Sequence, residues 1–219
     1  IYTQVKHILA VATDYGFDGN LWQNYLTFLL ITTENPFSIT CEKVGASDGS
    51  VNTFALNDFH NYRILFHYDF TEIERELGID CFSILTNYKA ICKKELMYNA
   101  NVSEKVQALS RKLADADSDE KFFEAVTGFY KDYGVGMFGL NKAFRISNNP
   151  DGSVRFNPIN NMDKVTLDDL VGYEIQKKKL VDNTEAFVAG RKANNCLLFG
   201  DSGTGKSTSI KAIVNQYYD

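Results

Sequence analysis

Proline is scarce in this chain. There are three, and none lies between Pro36 and Pro150. Proline removes a backbone donor and clashes with the preceding turn, so it breaks helix interiors. The long proline-free interval therefore suits a set of helices. Histidine is scarce and scattered: His7, His60 and His67 are all there are. No Ser/His/Asp arrangement can be assembled from them. His60 and His67 are seven apart but have no third ligand nearby, which argues against a metal site. The four cysteines, Cys41, Cys81, Cys92 and Cys196, form no C-x-x-C pair. Reduced thiols of a cytoplasmic protein are the expectation. No apolar run reaches the 18 residues of a membrane span; the longest candidate, residues 26–31, is far too short. Residues 1–13 lack the charged-then-apolar order of a signal peptide.

A basic surface is missing too. The net charge is −5, and residues 1–150 account for all of it, with 14 Lys and Arg against 19 Asp and Glu. Residues 151–219 hold nine of each sign. Sequence-independent binding to a nucleic-acid backbone needs the opposite balance. The one basic cluster, Lys177, Lys178 and Lys179, reads as a solvated helix face. With 44% hydrophobic and 23% charged residues, the composition is that of a globular chain.

What is present is mostly helical periodicity. Val5, Ile8, Leu9 and Ala12 share one face of a first helix, broken at Gly16 and Gly19. Leu21, Trp22, Tyr25, Phe28 and Leu29 mark a second, ended by Glu34-Asn35-Pro36, with Trp22 packing the two together. Residues 37–44 read as an extended piece and residues 45–50 as a loop. Phe59, Tyr62, Leu65 and Phe66 define a helix face after Asn57 and Asp58. Residues 71–77 predict a short helix closed by Gly78, and Ile84, Leu85, Tyr88 and Ile91 continue the pattern. Ser103 and Asp117 are the expected N-caps of two more helices. Asp117 with Glu120 forms a capping box, and the helix it opens stops at Tyr133 and Gly134. The glycines at 134, 136 and 139 mark a C-cap and connector. They are not a dinucleotide fingerprint, because no strand precedes them. Asp115, Asp117 and Asp119 imitate a calcium loop but lack its glycine and final glutamate.

The period then changes. Phe144 and Ile146, then Val154 and Phe156, alternate with polar residues around the turn signal Asn149-Pro150-Asp151-Gly152, predicting a β-hairpin. Residues 157–163 read as a linker. Thr166 or Asp168 opens a short turn. A helix over 173–189 follows, buried through Leu180, Val181, Thr184, Phe187 and Val188 and capped by Gly190.

Residues 195–217 carry the chemistry. A short apolar run, 196–199, is expected to be a buried strand. It enters Gly200-Asp201-Ser202-Gly203-Thr204-Gly205, followed by Lys206, Ser207, Thr208 and a helix with Ile210, Ile213 and Val214 on one face. This is the P-loop pattern G-x-x-x-x-G-K-[ST] in a strand–loop–helix context. Glycines let backbone N–H groups close around phosphate oxygens. The helix start adds free N–H groups and a positive dipole end. Lys206 is placed to reach the β- and γ-phosphates, and the Ser207 hydroxyl to ligate Mg²⁺. The expected ligands are ATP and Mg²⁺.

The order L-D-D-L-V-G-Y-E, helix, loop, L-L-F-G-D-S-G-T-G-K-S resembles the start of an AAA+ ATPase module over residues 165–219. It is most similar to an uncharacterised bacterial family of P-loop ATPases with a helical N-terminal region. Tyr133-Gly134 through Gly139-Leu140 and Ala143-Phe144-Arg145 are also similar to that family. The resemblance implies that Leu170, Val171 and Gly172 contact adenine. It implies a mainly α accessory domain over 1–142 that recognises a protein partner, a hairpin and linker over 143–163, and the first βα unit of an α/β P-loop NTPase domain over 164–219. It implies ATP hydrolysis by a ring-forming full-length protein. Walker B carboxylates, a sensor and an arginine finger are not found, and only 12 residues follow Ser207. Residues 165–169 mimic a Walker B end but read better as a turn before a helix. The chain is therefore expected to be an N-terminal fragment that does not hydrolyse ATP efficiently. The alternative is a non-enzymatic interaction module whose P-loop is incomplete.

Overall fold

The computed structural model describes residues 1–46, 49–91, 98–160 and 162–218. Cys92 and part of the 45–50 loop lie outside the described residues. The chain divides into two compact units, Ile1–Asn141 and Lys142–Asp219. The first is helical among its described residues, and the second combines helices with one small sheet.

The first unit begins with α1 (Tyr2–Tyr15) and α2 (Leu21–Thr32), which pack together. The Asn20 side chain accepts the Gln23 N–H and caps α2. Val5, Ile8 and Ala12 of the first stripe are buried, but in α2 the buried apolar residues are Leu21, Leu26, Leu30 and Ile31, and the predicted Trp22, Tyr25, Phe28 and Leu29 are half-buried. Trp22 packs against the buried core, and its indole donates to the Leu65 carbonyl at 2.7 Å and meets Phe70 edge-on. It thereby also ties α2 to the end of a later helix.

Residues 37–44 are helical, not extended. They belong to α3 (Pro36–Val44). Asn35 and Ser38 form a reciprocal capping box, with Pro36 at the first helical position. Proline there loses no bond and presets φ, so Asn35-Pro36 opens a helix as well as closing one. α4 (Ser50–Phe66) also starts earlier than its apolar face suggests and runs through Asn57 and Asp58. Phe59 and Phe66 are buried, but Leu65 is exposed. α5 (Thr71–Leu77) ends at Gly78, left-handed at φ 64°. α6 (Cys81–Thr86) is only six residues long and buries Leu85. Tyr88 leaves the helix to pair its backbone with Gly19, and Ile84 and Ile91 face outward.

α7 (Ala100–Ala114) and α8 (Asp119–Tyr133) complete the core. Their caps are Asn99 and Ser118, not Ser103 and Asp117. Ser103 lies buried within α7, and Asp117 instead pairs with Lys121 at 2.7 Å. Phe37, Phe59, Phe66, Phe122 and Phe123 form an aromatic cluster that joins α3, α4 and α8, with centroids 5.8–6.0 Å apart. Such pairs contribute about 0.5–1.5 kcal/mol each beyond area burial. At the far side the buried Tyr130 hydroxyl donates to the Leu30 carbonyl at 2.8 Å. That carbonyl is among the last four of α2, which have no partner inside the helix.

The glycines at 134–139 fold tightly into α9 (Gly136–Leu140). A Cβ on Gly139 would lie 2.5 Å from the Gly134 carbonyl carbon, so the close backbone approach explains the residue choice. His60 and Arg63 of α4 both engage Asp119, at 2.7 and 2.6 Å. Arg63 first, and then His60, hold the Asp119 carboxyl below its ordinary pKa. The acidic run 115–119 thus serves helix ends and α4–α8 pairing.

In the second unit, β1 (Phe144–Asn148) and β2 (Val154–Pro158) pair antiparallel with Ile146 opposite Phe156. The hairpin is as the alternation and turn signal predict. A 3-10 turn (Leu167–Asp169) follows, then α10 (Glu174–Val188) and α11 (Lys206–Tyr217). Residues 196–199 do not form the expected buried strand. Among the described residues the only sheet is β1–β2. Leu197 and Phe199 are 84% and 86% exposed, and Cys196 is exposed. A parallel strand needs ladder partners on its edges and cover on its faces; among the described residues no strand pairs with 196–199, and only Leu198 is half-buried. The buried face predicted for α10 is likewise open: Leu180, Val181 and Thr184 are half-buried, while Phe187 and Val188 are exposed. In α11 it is Ala212, not Ile210, that is buried.

Candidate functional site: a glycine loop beside a capped turn

The site is assembled from two local structures. The first is the turn at 166–173. Thr166 and Asp169 form a capping box, with the Asp169 carboxylate accepting the Thr166 N–H at 2.7 Å and its hydroxyl at 3.0 Å. These two bonds hold the Asp169 carboxyl below its ordinary pKa. Asp168 and Asp169 therefore close a turn before a helix and do not end a Walker B strand. Upstream, the Asn215 side chain of α11 donates to the carbonyls of Asp163 and Val165, both at 2.9 Å. Downstream, Lys177 donates to the Leu170 carbonyl and pairs with Glu174, each at 2.9 Å. The Lys177 side chain is only 16% exposed, so it pins the turn instead of forming part of a solvated basic face.

The second is the loop 200–205. Gly200, Gly203 and Gly205 have φ of 142°, 82° and 78°. Gly205 is the N-cap of α11, and the Ser209 N–H closes the first helical bond on its carbonyl at 2.8 Å. The first N–H groups of α11 have no intrahelical acceptor and open at the loop. Lys206 curls back over the loop. Its amine donates to the carbonyls of Gly200 and Asp201 at 2.9 and 2.6 Å, and lies 3.3 Å from the Thr204 hydroxyl. Ser207 and Thr208 follow in the first turn, with Ser207 exposed.

The two structures touch. A Cβ on Gly205 would sit 2.7 Å from Leu170 Cδ2. Only glycine lets Leu170 pack directly on the loop. Between α10 and the loop lies a cleft of about 630 Å³. Leu170, Tyr173, Lys177, Leu180 and residues 196–199 line one part of it, and Gly200, Asp201, Thr204, Lys206 and Ser209 the other. Ser202, Gly203, Gly205, Ser207 and Thr208 build the loop but are not in the lining. Neither are Val171, which is 93% exposed, and Gly172. The lining carries a single carboxylate, Asp201.

The segment entering the loop hangs from α10 by one amide. Asn183 donates to the Asn194 carbonyl and accepts its N–H, both at 2.8 Å, and reaches Cys196 Sγ at 3.2 Å. The side chain thus supplies a two-bond pairing where no strand does. Asn183, Lys177 and Tyr173 are the residues that motif reading passes over. Only the positive φ of Tyr173 and the contacts of the other two single them out.

Residues 140–219 match the model of a family described as Protein of unknown function (DUF815). The match begins at the end of the first unit and covers the hairpin, the capped turn and the glycine loop. No curated protein and no solved structure matches the chain. No helix among the described residues is long and apolar enough to cross a membrane.

Proposed function

We propose that the second unit binds ATP with Mg²⁺ through a P-loop, as the opening part of an AAA+-type ATPase domain. The observation that carries this is the loop itself. Glycines in left-handed conformations wrap the amine of Lys206 at the N-terminus of a helix, beside an apolar cleft. Triphosphate oxygens would replace the loop carbonyls as partners of Lys206 and take the N–H groups of 203–208. The exposed Ser207 hydroxyl would hold Mg²⁺, which would supply charge neutralisation. Leu170 gives the cleft an apolar wall for the base. Hydrolysis needs a carboxylate that polarises water, and the lining offers only Asp201, so binding is the activity we assign to this chain. The AAA+ resemblance extends the proposal to hydrolysis by a ring of full-length subunits in the cytoplasm. It assigns the first unit to recognising a protein partner, a role supported by the exposed Val51 and Phe54 on α4.

One observation favours a second reading. Residues 196–199 lack the sheet that ordinarily backs such a loop, as in an interaction module with an unused P-loop. Calorimetric titration of the chain with a non-hydrolysable ATP analogue and Mg²⁺ separates the two. Saturable binding that Lys206→Ala weakens at least about tenfold, the loss of a charge-assisted phosphate contact, supports the nucleotide reading. An affinity unchanged by Lys206→Ala overturns it.

A further inference from the structure

Tyr173 is the one non-glycine residue among those described with a positive φ, at 59°. The left-handed region is unfavourable for a residue with a Cβ, and such outliers gather where a site needs a fixed geometry. The turn around it is heavily fixed. The capping box closes it upstream, Lys177 holds the Leu170 carbonyl, and Leu170 rests on Gly205. Glycine at 172, with φ 83°, makes the preceding bend. Tyr173 belongs to the cleft lining, while Val171 and Gly172 do not. Tyr173 is 52% exposed and so accessible to a ligand.

From this we infer that Tyr173 is the base platform of the cleft, stacking on the purine ring of a bound nucleoside triphosphate. The inference rests on the P-loop reading and moves the base contact from Val171 and Gly172 to Tyr173. The left-handed backbone at 173 reverses the chain just before α10. Tyr173 thereby joins Leu170 and Leu180 among the residues that line the cleft. Gln176, one turn along α10, adds a donor and an acceptor to the same wall.

The test compares two ligands on the full 219-residue chain. A non-hydrolysable ATP analogue with Mg²⁺ uses both ends of the cleft; tripolyphosphate with Mg²⁺ uses only the loop. Tyr173→Ala should weaken the analogue about tenfold, within the range of a base–aromatic stack, and leave tripolyphosphate unchanged. Tyr173→Phe keeps the ring and should stay within about threefold of wild type. Tyr173→Gly relaxes the backbone but loses the ring, so it should behave like Tyr173→Ala. Wild-type affinity of Tyr173→Ala for the analogue overturns the inference. Equal losses for both ligands also overturn it and make Tyr173 a support of the loop. Failure of the wild-type chain to bind either ligand overturns the P-loop reading, and the base platform with it.

Discussion

Replacing Gly205 by alanine tests the contact on which the site depends. Two terms oppose the substitution. The backbone at Gly205 is left-handed, with φ 78° and ψ 10°, and this region costs a residue with a Cβ about 1–2 kcal/mol. The new Cβ also falls 2.7 Å from Leu170 Cδ2, too close for van der Waals contact. Leu170 Cδ2 is the end of a flexible side chain, so it rotates away rather than moving the backbone. Leaving its rotamer well costs about 0.5–1.5 kcal/mol. The local destabilisation of the loop and α11 should therefore be about 1.5–3.5 kcal/mol. Native-state hydrogen exchange of the α11 amides reads this as loss of protection. Leu170→Ala removes the clash but not the backbone term. In that background Gly205→Ala should cost only about 1–2 kcal/mol, a coupling of about 0.5–1.5 kcal/mol between the two positions. Additive effects would show that Leu170 does not rest on the loop, and no effect of Gly205→Ala would refute the left-handed cap itself.

Other expectations concern both units. Tyr130→Phe leaves the buried Leu30 carbonyl without a donor and should destabilise the chain by about 1–3 kcal/mol in urea unfolding; a change below about 0.3 kcal/mol would mean the bond is not made. Asn35→Ala removes the α3 capping box and should lower stability by about 0.5–2 kcal/mol, with Asn35→Asp nearly neutral. Asp119 has a depressed folded-state pKa, so its stabilising effect is complete above the ordinary carboxylate pKa of about 3.9. It is lost as pH falls through the lower folded value. The stability gap between wild type and Asp119→Asn should accordingly close as pH falls below that ordinary value, and a gap independent of pH would contradict the Arg63 and His60 contacts. In a Cys92→Ser chain, exposed Cys196 should react with a maleimide at once, whereas buried Cys41, whose thiol burial pushes up in pKa, should react only on unfolding. Equal rates for Cys41 and Cys196 would contradict the packing.

What could be read from residues alone was whatever depends on near neighbours in the chain. Most helices followed from apolar spacing, though α3 did not, the hairpin from Asn149-Pro150-Asp151-Gly152, the ends of α5 and α8 from Gly78 and Gly134. The loop 200–205 needed no structure, because glycine spacing and Lys206 carry the pattern. Cap identity was less legible, since Asn99 and Ser118 compete with equally polar neighbours one to four residues away. Pro36 both ends and begins a helix, and only the Asn35–Ser38 bonds reveal the second role. Tertiary packing decided the rest. Apolar residues at 196–199 have strand character in any context, but a strand exists only where another edge accepts its hydrogen bonds. The Leu170–Gly205 contact, the Lys177 anchor and the left-handed Tyr173 join positions up to 35 residues apart. Such a meeting is set by how α10 and α11 pack, which no local spacing encodes.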